Sequence, residues 1–480
     1  MILAIDQGTT SSRAIAFSLD GTPQRVSQQE FPQIYPQNGW VEHDAESIWA
    51  TTLACARQAM DDDVVAIGIT NQRETIVLWD RATGAALHNA IVWQDRRTAD
   101  LCASLKADGV EPMVQAKTGL LLDPYFSASK LKWLLDTVPG ARDRAAKGEL
   151  AAGTIDAFLL WRLSGGRVHA TDITNAGRTM LCDIRTGQWD AELLRLFDIP
   201  ESILPEIRGN AEFFGETDPA LFGRVIPIAG MAGDQQSALI GQACFQPGMV
   251  KSTYGTGCFL LMNTGAEPVA SANRLLTTPA YTIGTEQAFA LEGSIFVAGA
   301  AIKWLRDKVG ILAASAESEA MARAANPDHG VVVVPGFTGL GAPHWRPDAR
   351  GLISGLTLDT SAADLVRATL EGVAFSTRDL CAAMGDKPAA IRIDGGMSQN
   401  GWFAQFLADV LDTPVERPAS HETTAWGAAL LAGITTGAIA GLESAATNWR
   451  YDARFTPAMV SEERQGRISM WDAAVARTLT

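Results

Sequence analysis

"ILAIDQGTTSSRAIAFS", residues 2–18, joins one apolar run to another through an acid, a glycine and four hydroxyls. A polar hairpin turn between two strands accounts for the pattern, and so does a loop built to hold phosphate. In the second reading Gly8 lets backbone approach a ligand, Thr9, Thr10, Ser11 and Ser12 supply hydroxyl donors, and Arg13 adds charge. Asp6, at the strand end, could then orient a magnesium ion through water. One loop does not separate the two readings.

The chain has 480 residues, too many for a single core, which predicts two large domains. Apolar content of 47% and charged content of 19% describe an ordinary globular protein. A net charge of −15 argues against nucleic acid and anionic membrane as partners, but not against a phosphorylated ligand held by local cations. Six cysteines, at 55, 102, 182, 244, 258 and 381, form no C-x-x-C pair and read as reduced thiols in a cytoplasmic chain. No zinc-ligand spacing and no signal-peptide pattern occur, since polar and acidic residues begin at Asp6. The stretch "TTAWGAALLAGITTGAIAGL", 423–442, is uncharged and long enough to span a bilayer. Its Ala, Gly and Thr content favours a small-residue helix packed inside the protein, so no stable membrane insertion is expected.

The opening pattern recurs. "MVKSTYGTGCFLLMNTG", 249–265, again places a glycine-and-hydroxyl turn between two apolar runs. "VVAIGIT", 64–70, and "IVLWD", 76–80, read as strands, and "SASKLKWLLDTV", 127–138, as a helix with Leu131, Leu134 and Leu135 on one face. "RVIPIAGMAGDQQSALIGQAC", 224–244, runs strand, glycine turn, helix, with Asp234 at or near the helix start. "AAIRIDGGMSQNGWFAQFLADVL", 389–411, ends a strand in Asp-Gly-Gly before an amphipathic helix. Ser361 and Asp364 stand in capping-box spacing ahead of a helical apolar stripe. Strands and helices interleave throughout, so the fold class is α/β. The repeated hairpin predicts two duplicated domains, 1–243 and 244–480, facing a ligand across a cleft.

No Walker A pattern, protein-kinase signature or G-x-S-x-G elbow occurs. The ordered motifs "DQGTTSSR", "NQRET", "WQDRR", "DPYFS", "AGDQQSALIGQ", "YGTGCF", "FTGLGAP", "DGGMSQN" and "TTAWGAA" cover essentially the whole chain. In order and spacing they resemble the FGGY sugar-kinase family that contains glycerol kinase, within the actin-like (ribonuclease H-like) ATPase superfamily. The resemblance implies ATP-dependent phosphorylation of glycerol to sn-glycerol 3-phosphate, with ATP and Mg2+ as cofactors. It places Thr9, Thr10, Ser11 and Arg13 at the nucleotide phosphates, with Arg13 also near the transferred group, and Thr256 opposite them on the second hairpin. Gly396 and Asn400 match the family's nucleoside pocket, with Gly299 beside it.

On the acceptor side the resemblance gives Arg73 and Glu74 as a donor and an acceptor suited to polyol hydroxyls. Tyr125, Asp234 and Gln235 add polar contacts, and Trp93 and Phe259 supply flat walls against the carbon chain. Without the motif order, Arg73 and Glu74 would read as a solvated charge pair and the three aromatics as core. Asp234 is the expected general base, because phosphoryl transfer through a loose transition state needs only an ordinary carboxylate to take a late proton. A helix N-cap is the other reading of that aspartate.

Three features depart from the family pattern. Lys303 stands where a neutral amide is expected near the nucleotide. "DPALFGRVIPIAG", 218–230, is short with one Arg, which argues against inhibition by fructose 1,6-bisphosphate, and "AEFFGE", 211–216, has no histidine to phosphorylate. A homo-oligomer, dimer or tetramer, is compatible with the resemblance. Rival readings are a kinase for another small polyol or ketose, or a catalytically inactive actin-like sensor.

Overall fold

The structure is a computed structural model describing residues 1–346, 348–385 and 387–480. In the first half, β1 (Ile2–Gln7), β2 (Ser11–Phe17) and β3 (Pro23–Glu30) form an antiparallel meander. Next come β4 (Ala66–Asn71) and β5 (Ile76–Asp80), then α1 (Ser127–Thr137), whose Leu131, Leu134 and Leu135 are buried as the spacing predicts. The half closes with β6 (Gly215–Glu216), β7 (Pro227–Gly233) and α2 (Asp234–Gly241). The main sheet has the order β6-β7-β4-β1-β2-β3. β4 begins two residues later than the apolar run suggests, with Val65 N–H bonded to Met1 O, and extends to Asn71 opposite Gln7.

This topology fixes where chemistry can occur. β1, β4 and β7 are mutually parallel, and Gln7, Asn71 and Gly233 stand side by side in register. Their carboxyl ends therefore release Gly8–Thr9, Arg73–Glu74 and Asp234 at one edge of the sheet. In open α/β sheets, that edge is where ligands bind.

The second half repeats the plan. β8 (Val250–Tyr254) and β9 (Cys258–Gly265) form the second hairpin, followed by β10 (Leu276–Ile283) and β11 (Glu286–Ile295). After α3 (Gly299–Trp304), α4 (Ala362–Met384) starts with the capping box between Ser361 and Asp364. β12 (Ile391–Asp394) then runs parallel to β8, as β4 does to β1. α5 (Gly401–Leu411), β13 (Val415–Pro418), α6 (Thr423–Thr435), β14 (Tyr451–Phe455) and α7 (Ser461–Thr478) complete the chain. The seven-stranded order is β10-β11-β9-β8-β12-β13-β14.

The uncharged α6 does not stay with its own sheet. It packs on α2 and against β1, β4 and β7 of the first half. Glycines permit the approach: a Cβ on Gly427 would lie 1.9 Å from Ser237 O, and one on Gly241 1.9 Å from Thr423 O. Ile2, Ala4 and Phe17 consequently share a core with Leu239, Leu430 and Leu431. Each large buried aliphatic there contributes roughly 1.5–3 kcal/mol. Among the described residues no helix is long and apolar enough to cross a membrane.

Candidate active site

The first hairpin turn is tight, with Gly8 N–H bonded to Ser11 O at 2.9 Å. Thr10 is exposed, Thr9 and Ser11 are half-buried, and Gln33 Nε2 donates to Thr9 O while Gln28 Nε2 donates to Ser11 Oγ. Asp6 and Arg13 are direct partners across β1 and β2. Arg13 Nη2 is ion-paired with Glu422 of the second half, while its Nε is buried with no hydrogen-bond partner among the described residues. Burial raises the Asp6 carboxyl to about 6 against the pull of Arg13, helped by the charges of Asp234 and Glu422.

Arg73 and Glu74 are not a free donor and acceptor. Both are buried, and each is matched by an opposite charge. Arg73 Nη1 and Nη2 donate to Glu292 Oε2 and Oε1 at 2.5 and 3.0 Å. Arg178 Nε donates to Glu74 Oε1 at 2.6 Å, and Arg178 Nη2 lies 3.0 Å from Glu292 Oε1. Burial opposes the charge on Glu292, yet Arg178 and Arg73 together hold its carboxyl down at about 2. Glu74, with one guanidinium bonded and Arg73 Nε at 3.9 Å, is instead raised by burial. Glu74 also has a φ of 61°, a left-handed conformation costly for a non-glycine residue. Ser127 Oγ bonds its carbonyl and helps to hold it there.

Asp234 lies against this group, with Oδ1 3.2 Å from Arg73 Nε and accepting Gln235 N–H at 2.7 Å. Oδ2 accepts no hydrogen bond among the described residues, and the side chain is 33% exposed. Asp234 is the first residue of α2, and the N-cap is Gly233, so the side chain does not cap the helix. Gln235 is held from the other half by the buried Lys251 ammonium. Trp93 meets Tyr125 edge-on at 5.6 Å and Phe259, from the second half, at 6.4 Å between ring centroids. Burial pushes the Tyr125 phenol far up, so it stays protonated. Lys130 Nζ fixes the Pro124 and Tyr125 carbonyls beneath that ring.

At the second hairpin Thr256 is exposed at the tip, and its carbonyl accepts from Ala298 and Ala300 N–H. Gly299 opens α3 and donates to Gly255 O; a Cβ on Gly299 would lie 2.5 Å from that oxygen. A Cβ on Gly396 would meet nothing within 4 Å, which leaves open space beside it. Asn400 is engaged in holding the fold, since its Oδ1 caps α5 through Phe403 N–H and its Nδ2 donates to Ser318 Oγ. Lys303 is exposed.

Sequence reasoning missed Glu292, Arg178, Lys251 and Glu422. The available signal was an ionic residue inside an apolar strand, as in "AFALEGSIF", 288–296, because a lone buried charge is costly unless matched.

Two halves of one α/β plan, each with a hydroxyl-bearing hairpin, and a buried charge cluster shared between them define a two-domain actin-like fold. The FGGY carbohydrate kinase N-terminal domain model matches residues 1–241 and the C-terminal domain model residues 250–436. The chain belongs to the FGGY family of carbohydrate kinases. Within that family it is 59% identical over 486 residues to a glycerol kinase of Rhodospirillum centenum, covering 99% of this chain and 98% of that one. It is 57% identical to glycerol kinase 1 of Pseudomonas aeruginosa, with the same coverage. The crystal structure of Plasmodium falciparum glycerol kinase with ADP superposes with a TM-score of 0.94 at 38% identity, covering 100% of this chain and 98% of that one. A xylulose kinase from Lactobacillus acidophilus shares the fold, with a TM-score of 0.89 at 21% identity and coverage of 99% and 97%.

Proposed function

We propose that this kinase transfers the γ-phosphoryl group of ATP to glycerol, giving sn-glycerol 3-phosphate and ADP, across a cleft between domains 1–243 and 244–480. The observation that carries the reading is the Asp234 carboxylate. One oxygen lies 3.2 Å from Arg73 Nε and accepts Gln235 N–H, the side chain remains 33% exposed, and Trp93, Tyr125 and Phe259 form an aromatic cluster drawn from both halves.

The terminal hydroxyl of glycerol donates its proton to Asp234 Oδ2 as its oxygen attacks the γ-phosphorus. The bond from that phosphorus to the bridging oxygen breaks, and ADP leaves carrying the bridging oxygen. Arg73 and Glu74 orient the remaining hydroxyls, and the aromatic rings exclude water around the carbon chain. Thr9, Thr10 and Ser11 from one hairpin and Thr256 from the other grip the phosphates, and Arg13 offers its unspent Nε to the developing charge. Gly396 and Gly299 border the nucleoside.

Asp6 suits magnesium, because its carboxylate has no hydrogen bond or ion pair among the described residues and a divalent cation would relieve the repulsion from Asp234 and Glu422. A magnesium ion held there would supply neutralisation of the phosphate charge.

A coupled ADP-release assay with glycerol, dihydroxyacetone, xylulose and gluconate tests the assignment. Glycerol should give the highest kcat/KM, and a preference for xylulose or gluconate would reassign the substrate.

A further inference from the structure

Glu292 sits in the middle of β11, opposite Leu261 and Leu276, with 1% of its side chain exposed. A carboxylate in such a place does little for stability, since well-packed apolar residues commonly replace buried ion pairs without loss. What it does supply is a fixed geometry. Arg73, Glu292, Arg178 and Glu74 form a closed ring of alternating charge, with contacts of 2.5, 3.0, 2.6 and 3.9 Å around it. Two cations and two anions cancel, so each side chain has one favoured partner on either side.

We infer that Glu292 is a positioning residue, supplied by the second half, that aims Arg73 at the polyol and keeps the Arg73 fork off the base Asp234. Arginine binds carboxylates most strongly through its two terminal nitrogens together. Glu292 occupies both of them, which leaves only Arg73 Nε, at 3.2 Å, for Asp234 Oδ1. Without Glu292 the nearest carboxylate open to the fork is Asp234, which is less buried and so less costly to pair. Pairing there would engage the second oxygen, the one that must accept the proton, and would turn Arg73 away from the substrate hydroxyls. Arg178 supports the arrangement indirectly, by holding Glu74 and sharing Glu292 Oε1.

This inference rests on the proposed glycerol phosphotransfer, and wild-type turnover with glycerol, measured in parallel, tests that reading separately. In Glu292→Gln the shape is kept and the charge removed. Glycerol KM should rise by about tenfold or more and kcat should fall, with ATP KM changed less than about twofold. Glu292→Asp keeps the charge but shortens the reach, and should still lose at least roughly threefold in kcat/KM for glycerol. A cooperatively melting Glu292→Gln protein with wild-type glycerol KM would overturn the inference. So would a Glu292→Asp protein with wild-type kinetics, and that variant decides alone if the glutamine protein does not fold. Equal rises in KM for ATP and glycerol would also overturn it, by marking a general structural defect.

Discussion

The Trp93 indole N–H donates to the Thr9 hydroxyl at 3.0 Å, so the ring proposed to flank glycerol and the hairpin proposed to hold phosphate are one hydrogen-bonded unit. Trp93→Phe keeps a ring against Tyr125 and Phe259 but leaves Thr9 without that donor. ATP KM should rise by about threefold to tenfold, on the scale of one lost hydrogen bond. Titration of a fluorescent ATP analogue checks this directly, and unchanged affinity would mean that the contact has no part in holding the loop.

Asp234→Asn should lose most of kcat, about a hundredfold to ten-thousandfold, as expected for removal of a general base. The amide oxygen can still accept from Gln235 N–H and the shape is kept, so glycerol binding measured by calorimetry should persist. Wild-type turnover in the purified variant would remove Asp234 from the mechanism.

Closure of the two halves should accompany ligand binding. Trp93 and Phe259, and likewise Arg13 and Glu422, approach from opposite halves, so ligand contacts on both sides favour the closed form. Solution scattering should give a smaller radius of gyration with glycerol plus a non-hydrolysable ATP analogue than with neither. ATP hydrolysis without glycerol should be a small fraction of kinase turnover. An unchanged radius together with equal hydrolysis would refute closure.

Asp6 predicts a trade of stability for function. Its folded pKa of about 6 lies above the ordinary carboxylate value, so the folded state holds the proton more tightly than the unfolded chain does. The stability it contributes is present at acid pH and is lost as pH rises toward 6. Asp6→Asn should therefore be the more stable protein at pH 7, by about 1 kcal/mol after allowance for partial exposure, and less active. The gap in Tm between the two proteins should shrink on acidification through pH 6 and close near pH 4. A gap independent of pH would show that Asp6 is already charged without cost.

The parts of the site legible in the sequence were those coded locally. A turn such as Gly8–Ser11 or Gly255–Gly257 is written in consecutive residues, as are the capping box at Ser361 and the strand-to-helix step at Asp234. Arg73 and Glu74 closely follow β4, so they leave the sheet at the same edge as Gly8 and Asp234. Partners far apart in the chain were not legible. Arg73 and Glu292 are 219 positions apart, and no local period links them. Asn400 carries a locally coded role as well, because an Asn before an amphipathic helix caps it. The crossing of α6 onto the first sheet was half visible, since its small residues announced close packing but not against what.

That crossing has a consequence for biosynthesis. The apolar surface around Ile2, Phe17 and Leu239 emerges from the ribosome early, while Leu430 and Leu431, which cover it, are made on the order of 200 residues later. At ordinary elongation rates the gap is on the order of ten to forty seconds. During that interval the nascent first half carries an open hydrophobic face, which defines when a chaperone has work to do and why a chain truncated before α6 would aggregate rather than fold.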